Sequence, residues 1–128
     1  MIYSIGYQKL NVTDLQRIVR EKEVNFLIDC RSIPYGRRSE FNRKRLEAIF
    51  GMSYLFRGDV LGGFNPIDET AIHWLAESAE TVHLLLCMEE DPATCHRHYE
   101  IARRLHKYGI TVTHLFRGRE IKSTELEG

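Results

Sequence analysis

Short apolar runs alternate with amphipathic stretches along this chain of 128 residues, and that alternation limits the possible folds more than any other feature. Five runs have the length and composition of strands, and the segments between them carry apolar residues at helical spacing. Because parallel strands need a crossover connection, this order predicts a mostly parallel sheet with helices on both faces. The predicted strands comprise residues 1–6, 24–29, 52–56, 82–87 and 110–116.

The expected fold class is α/β, a three-layer sandwich around a mostly parallel five-stranded sheet. A chain of this length makes one ordinary domain, so residues 1–128 should form a single domain. Its ordered core should extend to about residue 116, and the polar tail 117–128 should fray or add one short element. Four helices are expected, the third running through about Ala79. Their predicted starts are Asn11 or Thr13, Ser39, Asp68, and one of Asp91, Pro92 and Thr94.

The composition indicates a globular protein of the cytoplasm. Hydrophobic residues make up 43% of the chain, enough for a packed core, and 28% are charged. No apolar run approaches the roughly 20 residues that cross a bilayer. Residues 1–6 look like a strand, not like the start of a signal peptide. We therefore expect a cytoplasmic protein without a membrane partner, in which three cysteines are thiols or ligands and not disulfides.

The net charge is zero, but the charges are unevenly distributed. Residues 30–57 hold seven Lys or Arg and two Glu, a net charge of +5. Residues 58–100 hold nine acids and one Arg, a net charge of −8. This pattern is compatible with an ordinary mixed surface or with a basic segment that faces an anionic ligand. The overall balance argues against tight nonspecific DNA binding.

Residues with charged or reactive side chains follow the predicted strands and should gather at one edge of the sheet. Ligands of open parallel sheets bind beyond the carboxyl ends of the strands, where the strand order reverses. The densest segment is Cys87 to Arg97, which connects the fourth strand to the last helix. We assign proton-handling or nucleophilic roles to Asp29, Glu89, Cys87 and His96, and substrate contacts to Arg31, Arg37, Cys95, Arg97 and Tyr7. The other histidines near the end of the chain, His98, His106 and His114, are expected at the surface or in packing.

Several chemistries fit this cluster. An anion could bind the helix start near Thr94, clamped by Arg97 with Arg31 or Arg37. Cys87 has the position of a thiolate nucleophile, at the end of a strand and before a helix. However, Arg97 follows Cys87 only after ten residues. Glu89 and its acidic neighbours would also raise the pKa of the Cys87 thiol.

Two further chemistries involve a metal or a pair of carboxylates. Zinc could bind Cys87, Cys95 and His96, although their spacing matches no common zinc motif. Asp29 and Glu89 could instead serve as proton-handling carboxylates for a phosphoester, nucleotide or glycosidic substrate. We expect no resident metal or other cofactor, with zinc as the alternative.

Several segments together resemble the domain of unknown function 488 family, over about residues 5–114. They are Ser4-Ile5-Gly6-Tyr7, Asp29-Cys30-Arg31, the Arg57-Gly58 and Leu61-Gly62-Gly63 loop, and the block Cys87-x-Glu89 with Cys95-His96-Arg97. The chain departs from the family pattern at Cys30, which replaces an apolar residue, and at Tyr7-Gln8, which replaces His-Ser. The resemblance implies an α/β sandwich and a bacterial or archaeal cytoplasmic protein. It implies no established reaction.

Three hypotheses about function follow. The first is a small enzyme that acts on an anionic substrate derived from a phosphate, a nucleotide or a nucleic acid. The second is a module that binds an anionic small molecule or a nucleic-acid fragment without chemistry. The third is that the Cys87–Arg97 segment only stabilises a strand-to-helix corner, with Arg97 paired to Glu89 or Asp29.

Overall fold

The computed structural model describes residues 1–78 and 80–127 and contains one six-stranded, mostly parallel sheet. The strands are β1 (Ile2–Gly6), β2 (Phe26–Asp29), β3 (Tyr54–Phe56), β4 (His83–Cys87), β5 (Val112–Phe116) and β6 (Arg119–Lys122). The α/β class is confirmed, and the predicted count of five strands is wrong. Arg117 and Gly118 both have positive φ, as a tight hairpin turn requires, and this turn pairs β6 antiparallel to β5.

The sheet order is β3-β2-β4-β1-β5-β6, with β4 between β2 and β1. The chain first moves outward from β1 to β3 and then returns to the centre at β4. All pairs among β1 to β5 are parallel, so their carboxyl ends share one edge of the sheet. The reversal of direction at β4 places the end of that strand where open α/β sheets bind ligands.

The helices begin at capping residues, some of which differ from the predicted ones. They are α1 (Val12–Glu21), α2 (Arg43–Phe50), α3 (Gly58–Leu61), α4 (Glu69–Glu77) and α5 (Arg103–His106). Asn11 caps α1 through a capping box with Asp14, and Asp68 caps α4 as predicted. The cap of α2 is Asn42, because Ser39 begins only a short 3-10 turn. Ala79, the predicted end of the third helix, lies outside the described residues.

The last helix begins later than predicted. Asp91 caps a 3-10 turn, Pro92–Thr94, and the chain then forms a π-helix, Arg97–Ala102, that continues into α5. Such π segments occur often at functional sites. Gly109, with a φ of +76°, follows the helix.

The two faces of the sheet carry separate apolar cores. One core packs α1 and α2 against the sheet through Leu15, Phe41 and Leu46. The other packs α4 and the last helix through Ile72, Leu75, Ile101 and Leu105. The sheet is thus the middle of three layers. Within the described residues, no helix has both the length and the apolar character needed to cross a membrane.

Candidate functional site

A cleft of about 610 Å³ opens at the carboxyl ends of β1, β2 and β4. Six of the nine predicted site residues line it, namely Tyr7, Arg31, Arg37, Cys87, Glu89 and His96. The other three, Asp29, Cys95 and Arg97, are buried and are not part of the lining. The structure therefore brings the predicted residues to one edge of the sheet but divides them between the cleft and the layer behind it.

The loops after β1 and β4 are held together by backbone contacts. Tyr7 N–H donates to the Cys87 carbonyl at 3.1 Å, and Gln8 N–H donates to the Met88 carbonyl at 3.0 Å. A Cβ on Gly6 would lie only 1.6 Å from the carbonyl oxygen of Glu89. Glycine at position 6 thus lets the loop that carries Glu89 rest directly on the end of β1.

Asp29 and Arg31 form a buried ion pair behind the cleft, with 0% and 6% side-chain exposure. Arg31 Nε and Nη2 donate to the two carboxylate oxygens, each at 2.8 Å. The Arg31 backbone N–H and the Tyr54 hydroxyl also donate to this carboxylate. Burial lowers the pKa of Arg31, but the hydrogen bonds and charge of Asp29 outweigh it, so the net pKa is raised. Asp29 was predicted to handle a substrate proton. With four donors and no exposure, its carboxylate holds Arg31 in place, and the predicted proton transfer stays a prediction.

Tyr7 lies between arginines and an aromatic ring on the cleft wall. The Arg31 guanidinium stands 5.2 Å from the centre of the Tyr7 ring, and Phe41 stacks on the ring at 4.4 Å. Arg38 donates to the carbonyls of Tyr7 and Gln8 at 3.1 and 3.0 Å. Arg38 was not among the predicted site residues, although it directly follows Arg37. It holds the loop that carries Tyr7.

Two charged side chains of the cleft lining have no partner. Glu89 is half-buried, and Arg37 is exposed. Among the residues that the structure describes, neither side chain makes a hydrogen bond or an ion pair. A half-buried carboxylate without a partner is able to exchange a proton with a bound molecule.

Apolar side chains surround the cleft on the outside. Tyr35 and Phe64 are 69% and 79% exposed, and Ile33 and Met88 beside them are also exposed. The prediction of site residues missed this rim because loop aromatics carry no periodic signal. Exposed flat side chains beside an arginine form a surface on which a planar ring can stack.

Arg97 is fully buried and binds the loop after β4 from behind. Its Nη1 donates to the Glu89 carbonyl at 2.6 Å, and its Nη2 donates to the Glu90 carbonyl at 2.9 Å. Its Nε donates to Ser4 Oγ at 3.0 Å. These contacts contradict the predicted substrate contact for Arg97. The predicted pairing with a Glu89 or Asp29 carboxylate is also replaced, because backbone carbonyls accept the hydrogen bonds.

A buried polar network continues from Ser4 to the last helix. Arg97 must donate to Ser4, so the Ser4 hydroxyl donates to His114 Nδ1. His114 Nε2 then donates to His98 Nδ1 at 3.2 Å. Burial, followed by the charge of Arg97, lowers the pKa of His114 to about 3. His98 and His114 are thus packing residues of the interior, which is one of the two placements expected for them.

Cys87, Cys95 and His96 converge beside the cleft. Each contributes one potential ligand atom, and these atoms lie within 4.8 Å of one another. His96 Nε2 stands 3.9 Å from Cys87 Sγ, and His96 Nδ1 stands 3.8 Å from Cys95 Sγ. His96 Nε2 also contacts the carbonyl oxygens of Cys30 and Leu61 at 3.1 and 2.9 Å, so this nitrogen carries a proton.

The environments of the two thiols separate their pKa values. Burial raises the pKa of Cys87, which stays a thiol. A hydrogen bond from Cys87, then contact with His96 and the charge of Arg97, lowers the pKa of Cys95 to about 3 against the effect of burial. Burial lowers the pKa of His96, but Cys95 outweighs it, so the net pKa is raised. Cys95 is thus the more acidic thiol, yet it does not line the cleft. Cys87 lines the cleft but is a poor nucleophile.

Three backbone donors near the helix start that was expected to bind an anion are occupied. Ala93 N–H donates to Asp91 Oδ1 at 2.9 Å. The N–H groups of Thr94 and Cys95 donate to the carbonyls of Asp91 and Pro92, both at 3.2 Å. These three N–H groups are therefore not free to bind an anion, and the predicted anion site near Thr94 stays a prediction.

No protein-family model matches this chain, and neither the curated proteins nor the solved structures contain a match.

Proposed function

We propose that this protein is a small cytoplasmic enzyme that acts on an anionic, nucleotide- or nucleic-acid-derived substrate in the cleft at the carboxyl ends of β1, β2 and β4. One observation carries the proposal. The Glu89 carboxylate and the Arg37 guanidinium line the same cleft, and neither has a partner within the described part of the chain. A carboxylate and a guanidinium that do not pair with each other in one cleft can each bind a different part of the same ligand.

The proposed roles follow from the surroundings of each side chain. Glu89 exchanges a proton with the substrate, since it is half-buried and its loop is fixed by Arg97. Arg37 binds the anionic group, because an exposed guanidinium can offer a bidentate contact. Arg31 adds positive potential but keeps two of its donors on Asp29. Tyr35 and Phe64 stack a base.

The same aromatic rim favours a second candidate function, a binding module without chemistry. Stacking on exposed aromatics together with an arginine is typical of proteins that bind single-stranded nucleic acid. In this case Glu89 has no chemical role, and the ligand dissociates unchanged. Resemblance to the domain of unknown function 488 family does not separate the two candidates, and membership of that family remains part of our proposal.

Turnover and binding, measured separately, test the proposal. The protein is incubated with a panel of nucleotides, phosphomonoesters and short oligonucleotides, and products are detected by mass spectrometry. Glu89→Gln should reduce turnover by roughly 100-fold or more while leaving binding intact, because it removes only proton exchange. Arg37→Ala should weaken binding, and the binding of the parent should fall with added salt.

Matched variants at exposed positions outside the cleft provide the controls. Glu125→Gln and Arg45→Ala remove the same charges from side chains that do not line the cleft. Both should keep the turnover and affinity of the parent. Full turnover by Glu89→Gln contradicts the proposed role of Glu89. Binding that depends on Arg37 without any turnover across the panel favours the module.

A further inference from the structure

Two thiols and an imidazole meet at the inner wall of the cleft. Cys87 is the last residue of β4, while Cys95 and His96 come from the turn before the last helix. Both thiols are 1% exposed, and His96 is half-buried. Sulfur and imidazole nitrogen in this combination form a ligand set that selects zinc-like transition metals over magnesium or calcium.

The distances fit a tetrahedral metal after a small movement. Zinc bonds of about 2.3 Å to sulfur and about 2.0 Å to nitrogen place neighbouring ligand atoms roughly 3.5–3.8 Å apart. Here His96 Nδ1 and Cys95 Sγ are 3.8 Å apart, and Cys87 Sγ stands 3.9 Å from the other ring nitrogen, Nε2. One ligand atom from each of the three residues lies within 4.8 Å of the others, so movements of the side chains alone would close the set around one ion.

The groups around His96 already hold the ring in the way that a metal-binding histidine requires. His96 Nε2 donates to the carbonyl oxygens of Cys30 and Leu61, which leaves the Nδ1 lone pair for a metal. A Cβ on Gly63 would lie 3.3 Å from His96 Nδ1 and 3.4 Å from Cγ, so the glycine packs closely against the ring. Both features fix the orientation of the imidazole.

The charges around the set are also compatible with a metal. The thiolates of Cys87 and Cys95 would carry two negative charges, which together with a neutral His96 imidazole would balance the charge of a divalent ion. The positive charge of the buried Arg97 guanidinium acts on Cys95 and favours its thiolate form.

We propose that Cys87, Cys95 and His96 bind one zinc-like divalent metal ion whose fourth position opens into the cleft. Two of the three ligands, Cys87 and His96, line the cleft, so a water molecule or a substrate atom can complete the tetrahedron. Glu89 lines the same cleft, so its carboxylate would be available as a proton acceptor beside a metal that acts as a Lewis acid there. The inference goes beyond the proposed function and does not depend on it.

Metal uptake by the reduced, chelator-treated protein tests this site without reference to activity. After dialysis against Zn²⁺, elemental analysis should find one zinc per chain. Dialysis against Co²⁺ should give the visible bands of tetrahedral cobalt and the near-ultraviolet charge-transfer band of cobalt–thiolate bonds. Cys87→Ser, Cys95→Ser and His96→Gln should each lose the stoichiometric metal and these bands.

Cys30→Ser is the matched control. Cys30 is a buried thiol in the same core, but its sulfur lies outside the three-atom group. The variant should retain one metal per chain. Circular dichroism should show that each ligand variant is folded.

A measurement on the parent protein tests the metal site even where a ligand variant does not fold. Bound zinc should slow alkylation of Cys87 and Cys95, but not of Cys30, and a chelator should restore the rate. Three results would overturn the site: no uptake of Zn²⁺ or Co²⁺ by the fully reduced parent, stoichiometric metal in Cys87→Ser, or alkylation rates unchanged by zinc. Any of them would leave the proposed roles of Glu89 and Arg37 unaffected.

Discussion

Arg97 Nη1 donates to the backbone carbonyl oxygen of Glu89 at 2.6 Å, so a fully buried guanidinium holds the loop whose side chain faces the cleft. Arg97 reaches this loop from the last helix and does not itself line the cleft. Arg97 is therefore a positioning residue for Glu89. Its contribution to the stability of the fold should be measurable as a change in the free energy of unfolding.

Arg97→Ala should destabilise the protein by about 3 kcal/mol or more. The change leaves three acceptors, one buried and two partly buried, without this donor and creates a cavity, and each effect costs roughly 1–3 kcal/mol. Urea denaturation followed by fluorescence or circular dichroism measures the free energy of unfolding. Arg45→Ala, on the exposed face of α2, should change it by less than about 0.5 kcal/mol. A variant at position 97 that unfolds like the parent would contradict the positioning role.

Asp29→Asn should cost about 3–5 kcal/mol of stability, because it leaves the buried charge of Arg31 uncompensated. Tyr54→Phe removes one hydrogen bond to the same carboxylate and should cost only about 1 kcal/mol. Thermal and urea unfolding of both variants give the comparison. If Asp29→Asn keeps the stability of the parent but loses turnover, then the sequence-based prediction of a catalytic Asp29 is favoured over the structural role.

Gly6→Ala should destabilise the protein by at least about 2 kcal/mol, because the new Cβ would overlap the backbone of Glu89. Gly36→Ala is the matched control, since nothing lies within 4 Å of a Cβ at that position. It should change the free energy of unfolding by less than about 1 kcal/mol. Equal stability of the two variants in a urea titration would mean that the loop after β4 moves away from β1 at little cost.

His114 should make stability depend on pH in the mildly acidic range. Its pKa falls from the ordinary 6.5 to about 3 in the folded protein. Between these values the unfolded chain binds more protons, so the free energy of unfolding decreases as the pH falls. Between pH 7 and pH 5 the contribution of His114 to stability should fall by about 2 kcal/mol.

His114→Gln should remove this part of the pH dependence. The charged or titratable groups that act on His114 are Arg97, His98, Cys95 and His106, and they remain in the variant. His73→Gln is the control, because it makes the same substitution at a histidine whose side chain is 55% exposed. Urea unfolding at pH 5, 6 and 7 measures all three proteins. Parallel curves for the parent and His114→Gln would contradict the prediction.

Much of the fold could be predicted because its signals are local. Apolar runs of strand length and capping residues such as Asp68 act within a few positions along the chain, and they identified β1 to β5 and most helices. The sixth strand was missed because β6 is largely exposed and polar and carries no apolar pattern. The turn that forms it depends on positive φ at Arg117 as well as at Gly118.

The sequence by itself determined that the reactive residues follow strands whose ends share one edge of the sheet, and hence that Tyr7, Arg31, Glu89 and His96 meet there. Only the tertiary structure decided which of them face the cleft. Asp29 and Arg97 are buried because their side chains find four donors and three acceptors, respectively, in the layer behind it. Charge and residue type are properties of the sequence, whereas burial and partners depend on distant parts of the chain, which only packing brings together.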